Sequence, residues 1–231
     1  CETEREAARQ VNVQGPENLA ASAKRHGVFL VHVSTDYVFD GNKPVPEAYT
    51  EADTPSPISY YGKTKLEGEM AIQRICPDHA IVRTAWLYGG SGPNILKTFL
   101  RRALSDPAGE IRVVNDQYGS PTWSYRLALQ MARLIEAKGH GVYHATSQGY
   151  CTWYDLACYF LNLMDVPHRV VPCSTAEYPT AARRPKNSIL DNSGLKARGI
   201  DLMPRWEDDL NAFVARYRSG LIQEVQEQGT P

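Results

Sequence analysis

Val28-Phe-Leu-Val-His-Val-Ser-Thr35 is an apolar run with hydroxyls at its carboxyl end, and a helical pattern over residues 59–75 follows it. Ala80-Ile-Val-Arg-Thr-Ala85 comes next, a second run of the same kind. Both runs are too continuous for a strand with one wet face, which is how buried parallel strands read. Strand, helix, strand at this spacing is a βαβ unit, so the chain is α/β. Ligands of such sheets bind beyond the carboxyl ends of the strands, where Ser34, Thr35 and Trp86 fall.

The pattern extends in both directions. Residues 3–26 read as a helix interrupted at Gly15-Pro16 and ended by Gly27. A polar, proline-rich loop from Asp40 to Pro57 is too long for a tight turn, and loops of this kind often carry function. Helices are expected over 94–104 and 124–136, and strands over 111–114, 142–145 and 169–173. Thr152-Trp-Tyr-Asp155 is a capping-box pattern that opens another helix. The last helix, from about Trp206, sets Leu210, Phe213, Val214 and Tyr217 on one stripe, and the tail after Gln226 is expected to fray. The early part has parallel character and the later part is more mixed.

Bulk properties narrow the function classes. With 231 residues, 42% hydrophobic and 22% charged, the composition is that of a globular domain with a large core. A net charge of −1 gives no basis for binding nucleic acid or a membrane surface through bulk charge. No apolar run approaches the roughly 20 residues of a membrane-spanning helix. The five cysteines lack metal-ligand spacing, as do the six histidines, so no metal is expected. Reduced cysteines suit a cytoplasmic protein. Gly89-Gly-Ser-Gly92 lacks the Lys-Ser/Thr of a phosphate loop and reads as a mobile loop near the substrate.

Chemistry enters with Tyr61-Gly-Lys-Thr-Lys65. Tyr61 and Lys65 lie one helical turn apart on one face, and Thr35 can reach the same point from the strand end. An ammonium beside the phenol favours the phenolate and would lower the Tyr61 pKa from near 10. In a carbonyl reduction Tyr61 would protonate the oxygen and Thr35 would hold it. A lone Tyr-x-x-x-Lys also occurs by chance on exposed helix faces.

Longer blocks add weight. Ser34-Thr-Asp-Tyr-Val-Phe-Asp-Gly41, Tyr60-Tyr-Gly-Lys-Thr-Lys-Leu-Glu-Gly-Glu69 and Arg83-Thr-Ala-Trp-Leu-Tyr-Gly89 resemble the extended short-chain dehydrogenase/reductase superfamily. Within it they are most similar to the dTDP-4-dehydrorhamnose reductase family. Val114-Asn-Asp-Gln-Tyr-Gly-Ser-Pro-Thr122 and Tyr178-Pro-Thr-Ala-Ala-Arg-Arg-Pro-Lys-Asn-Ser188 continue the resemblance in the same order.

The resemblance implies a Rossmann-type parallel sheet with a smaller mixed α/β lobe for the sugar nucleotide. Residues 1–88 and 120–148 would form the cofactor domain, and 89–119 and 149–231 the lobe. It implies Thr35, Tyr61 and Lys65 as catalytic residues, with NADPH or NADH as cofactor. Lys65, Tyr61, Ser34 and Asn12 would serve the cofactor. Asp36, Tyr37, Trp86, Arg183 and Arg184 would serve a dTDP-linked 4-keto-6-deoxysugar, the two arginines as a diphosphate clamp. Trp86 and Tyr37 equally suit core aromatics, Asn12 a local backbone partner, and Arg183-Arg184 an anchor for the next segment. A homodimer is an assembly the resemblance leaves open. Another nucleotide-sugar reductase or epimerase fits the same motifs, as does a regulatory subunit like that of methionine adenosyltransferase.

The superfamily opens with a strand, a glycine-rich turn and a helix that holds the cofactor pyrophosphate. This sequence starts at Cys1-Glu-Thr-Glu-Arg-Glu6, without Met, inside a helical pattern. The expectation is therefore a piece of a longer protein, weak in cofactor binding and with an exposed sheet edge.

Overall fold

The computed structural model describes residues 1–178 and 182–228. Helix α1 (Arg5–Arg9) runs through a π turn (Gln10–Gln14) into α2 (Gly15–His26). Gly15-Pro16 does not break this helix as expected. Pro16 stands in the first turn of α2, where a missing N–H costs little, and the wide turn before it absorbs the mismatch. The π turn also pushes the Asn12 carbonyl toward α3 (Tyr60–Ile75), where a Cβ on Gly68 would lie only 2.2 Å from that oxygen. Gly68 is thus what lets the two helices close.

Strand β1 (Leu30–Thr35) precedes α3, and β2 (His79–Thr84) follows it. After them come β3 (Leu87–Tyr88), α4 (Ile95–Ser105), β4 (Glu110–Val114), β5 (Tyr118–Gly119), β6 (Thr122–Trp123) and α5 (Ser124–Glu136). The chain continues through β7 (Gly141–His144), β8 (Cys151–Thr152), α6 (Trp153–Met164), β9 (Arg169–Cys173), α7 (Ser193–Ala197) and α8 (Trp206–Gln228). The expected capping box is present at Thr152 and Asp155. The expected frayed end beyond residue 228 lies outside the described residues.

A parallel sheet in the order β1–β2–β7 aligns Thr35 with Thr84 and Ser34 with Arg83, so their carboxyl ends finish together. This is the Rossmann-type α/β arrangement expected from the apolar runs. A second parallel pair, β4–β9, sits under α4, α6 and α8 on a separate core that includes Leu100, Phe160 and Phe213. Four two-residue strands, β3, β5, β6 and β8, stitch the two regions together and carry no periodicity that a sequence could show.

The chain then returns to the first sheet. Leu195 and Ile200 pack with Ala80, Val82 and Tyr143, and Tyr49 bridges to Leu190. Part of the stretch expected in the smaller lobe is therefore core of the larger one. The long polar loop is tied down as well. Glu51 accepts from the backbone of His144 at 2.9 Å and of Gly194 at 3.1 Å, and from the Ser193 hydroxyl. A carboxylate receiving three donors fixes the loop that carries Asp36 to Ser59 beside the sheet end.

Under α3 lies a buried ion pair. Arg83 on β2 donates to both oxygens of Glu69, at 3.1, 3.2 and 2.7 Å, with the side chains 5% and 1% exposed. Arg83 also lies over the Phe39 ring, 5.3 Å from its centre.

Candidate active site

Three elements bring the site together. β1 ends at Thr35, a short 3₁₀ turn (Asp36–Val38) follows, and α3 starts beside it. The first turn of α3 is held by Ser59, whose hydroxyl accepts from Gly62 N–H at 3.0 Å, and by Glu2, which accepts from the N–H groups of Tyr60 and Tyr61. Gly62 permits the approach of the 3₁₀ turn, since a Cβ there would lie 2.1 Å from the Tyr37 carbonyl oxygen. Tyr37 and Tyr61 then meet edge to face at 5.9 Å.

A cavity of about 470 Å³ opens at this point, within the usual size of small-molecule sites. Thr35, Asp36, Tyr37, Tyr61, Trp86 and Arg184 line it, as the motifs suggested. Arg183 is exposed and lies outside that lining, so only one of the two arginines is placed for a clamp. Sequence reasoning missed Arg102 of α4, Arg112 of β4, Gln117 and Trp153. Trp153 is the first residue of α6 and stacks on Trp86, ring centres 3.4 Å apart. The capping box located that helix start without showing what its tryptophan would meet. Trp86 holds a left-handed φ of 47°, a strained conformation for a bulky residue and one that clusters at functional sites.

Lys65, Ser34 and Asn12 fall on the other side of the strand end. The Lys65 ammonium donates to the Val33 carbonyl at 2.8 Å and lies 3.4 Å from His32 Nε2. Burial, then the Lys65 charge, hold His32 down at about 4, so its ring is neutral at pH 7 and accepts there. Ser34 is buried and its hydroxyl has no partner. Asn12 donates to the Thr64 hydroxyl at 3.1 Å, one layer behind the cavity. It braces α3 and does not reach the cavity wall.

The expected lowering of the Tyr61 pKa is not what the structure shows. Burial pushes the phenol above its ordinary value, and the Asp36 charge adds to this. Only the Thr35 hydroxyl pulls the other way. The Lys65 ammonium is turned onto a backbone carbonyl, and burial lowers its own pKa against the support of Glu69. Tyr61 is therefore a protonated phenol at neutral pH, suited to giving a proton.

The relatives agree with this geometry. The profile of the RmlD substrate binding domain matches residues 1–219. The chain belongs to the dTDP-4-dehydrorhamnose reductase (RmlD) family. It is 40% identical over 225 residues to the dTDP-4-dehydrorhamnose reductase of Sinorhizobium fredii, covering 93% of this chain and 75% of that protein. It is also 40% identical to a dTDP-4-keto-6-deoxy-D-glucose reductase of Streptomyces niveus, over 87% of this chain and 69% of the relative. Among solved structures it resembles the dTDP-4-dehydrorhamnose reductase of Bacillus anthracis in complex with NADP. That match has a TM-score of 0.88 at 39% identity, covering 93% of this chain and 75% of the other.

The RmlD-family residues fit a nicotinamide nucleotide at the β1 end. An unpartnered, buried Ser34 hydroxyl and a Lys65 ammonium with a donor to spare stand beside Tyr61, which suits the hydroxyls of a ribose.

Proposed function

We propose that this chain carries the substrate site and proton donor of an NADPH- or NADH-dependent reductase. The enzyme reduces the C4 keto group of dTDP-4-dehydro-L-rhamnose to give dTDP-L-rhamnose. One observation carries the reading: a single cavity has Thr35 and Tyr61 at one wall and Arg102, Arg112 and Arg184 elsewhere in its lining. A proton donor and a set of guanidinium groups in one space suit a keto sugar joined to a diphosphate.

NADPH supplies the hydride when bound. Tyr61 gives its phenolic proton to the sugar oxygen, and Thr35 holds that oxygen in line. Lys65 orients the ribose and supports the tyrosinate left behind. Ser34 adds a hydroxyl to the cofactor side, and Asn12 keeps α3 in register through Thr64. Tyr37, Trp86 and Trp153 form the apolar wall for the deoxysugar, and Asp36 closes the cavity beneath Thr35. Residues 1–88 and 120–148, joined by the stretch around 190–200, serve the cofactor. The remainder of 89–119 and 149–231 serves the nucleotide. A cytoplasmic enzyme fits substrates of this charge, and among the described residues no helix is long and apolar enough to cross a membrane. A homodimer is part of the proposal, to be read by sedimentation.

Loss of NADPH absorbance on adding the keto-sugar nucleotide tests the reading, and absence of turnover by the holoenzyme would refute it. Arg102→Ala is expected to raise KM for the sugar nucleotide about 10- to 100-fold with little change in kcat, the value of one charge-assisted bond. The likeness to the Streptomyces niveus reductase favours a second reading, a different dTDP-4-keto sugar in the same pocket. Comparing kcat/KM for the two sugars separates them.

A further inference from the structure

Asp36 is 3% exposed and lines the cavity. Its Oδ1 accepts the Thr35 hydroxyl hydrogen at 2.9 Å, and its Oδ2 has no hydrogen-bond partner. Thr35 Oγ1 also accepts from the Tyr37 N–H at 3.2 Å. A hydroxyl has one hydrogen, so a Thr35 that gives it to Asp36 offers only lone pairs elsewhere. A substrate carbonyl oxygen likewise has only lone pairs. Thr35 cannot hold that oxygen while the Asp36 carboxylate holds its hydrogen.

We propose that Asp36 is a positioning residue: its protonated carboxyl donates to Thr35 Oγ1 and frees the Thr35 hydrogen for the reacting oxygen, whereas its carboxylate withholds it. The proposal rests on the reductase reading. No net proton leaves Asp36 in the cycle, and Tyr61 remains the donor to the sugar oxygen.

Burial pushes the Asp36 carboxyl up to about 6, against the pull of the Ser188 and Thr35 hydroxyls and backbone N–H groups. The groups facing it are Tyr37 from its own turn, Tyr61 from α3 and Ser188 from the C-terminal segment. Arg184, Arg112 and Arg102 carry the positive charge of the same cavity. The Ser188 hydroxyl donates to the Tyr118 carbonyl at 3.2 Å and so leaves Oδ2 open. A bound diphosphate adds negative charge, so in the complex the carboxyl titrates at or above that value. The protonated form is the productive one, so kcat is full below this pKa and falls as pH rises through it, up to about tenfold per unit.

The test is kcat against pH for the holoenzyme, with both substrates saturating. The natural enzyme is expected to lose activity between about pH 6 and pH 8, whereas Asp36→Asn, which cannot ionise, should vary less than about twofold. Asp36→Glu keeps an ionisable carboxyl and should keep an inflection. A flat profile for the natural enzyme, or an inflection that persists in Asp36→Asn, overturns the proposal. A change confined to KM overturns it too, since that marks direct substrate contact. NMR titration of isotope-labelled Tyr61 gives a readout without turnover. Its pKa should fall in Asp36→Asn, because the nearby charge is gone and the Thr35 hydrogen is released, and an unchanged value refutes the coupling. Absence of turnover with every sugar nucleotide defeats the reductase reading alone, and the NMR titration still decides this one.

Discussion

Tyr61→Phe is expected to lower kcat by about 10²- to 10⁴-fold, the usual worth of a placed general acid. Affinity for the sugar nucleotide should stay within a fewfold. The phenol sits edge-on to Tyr37 at 5.9 Å and faces Thr35, so removing one oxygen leaves the packing of α3 intact. Its pKa is raised by burial, which makes the proton available at every physiological pH and places the difficulty in stabilising the tyrosinate. That burden falls on Thr35 and on a Lys65 drawn away from the Val33 carbonyl. Steady-state rates, with binding of the sugar nucleotide measured separately by calorimetry, decide the matter. Turnover within a fewfold of the natural enzyme would remove Tyr61 from the proton step.

Glu69→Gln is expected to be the most destabilising of the single changes considered. The carboxylate is 1% exposed and takes three contacts from Arg83, itself nearly buried. Without it, a guanidinium remains in the core with its charge uncompensated, at a cost of about 3–5 kcal/mol. For a chain of this size that is a fall in Tm of about 6–20 °C. The double change Glu69→Leu with Arg83→Met should recover much of the loss, because replacing a buried pair by apolar groups is often neutral. A second consequence concerns Lys65, whose pKa Glu69 supports. The ammonium is present below its folded pKa and lost as pH rises through it. Removing Glu69 lowers that pKa, so the alkaline limb of the rate moves to lower pH in any variant lacking the carboxylate. Thermal melts and pH profiles check the two effects, and a Tm within about 4 °C of the natural chain would contradict the first.

Much of the fold was legible because its signals are local. Two continuous apolar runs around a helix gave the parallel strands, and β1 and β2 pair in register as their common character implied. The Thr152–Asp155 capping box marked its helix because both bonds form within four residues. The Gly15-Pro16 interruption was misread, since a proline in a first turn obeys a different rule from one inside a helix. The short strands β3, β5, β6 and β8 left no trace, as a two-residue strand has no period.

For the site, Thr35, Asp36, Tyr37 and Tyr61 could be named from sequence because a strand end and a helix start hold them within one supersecondary unit. Arg102, Arg112 and Trp153 could not. They come from α4, β4 and α6, and only the packing of the second core brings them to the same space. Titration behaviour was further out of reach. The spacing of Tyr61 and Lys65 suggested a lowered phenol, whereas burial decided the sign. Spacing along a chain fixes which groups can meet. Desolvation and the direction of each hydrogen depend on what surrounds them, and those are set only when distant segments close over the site.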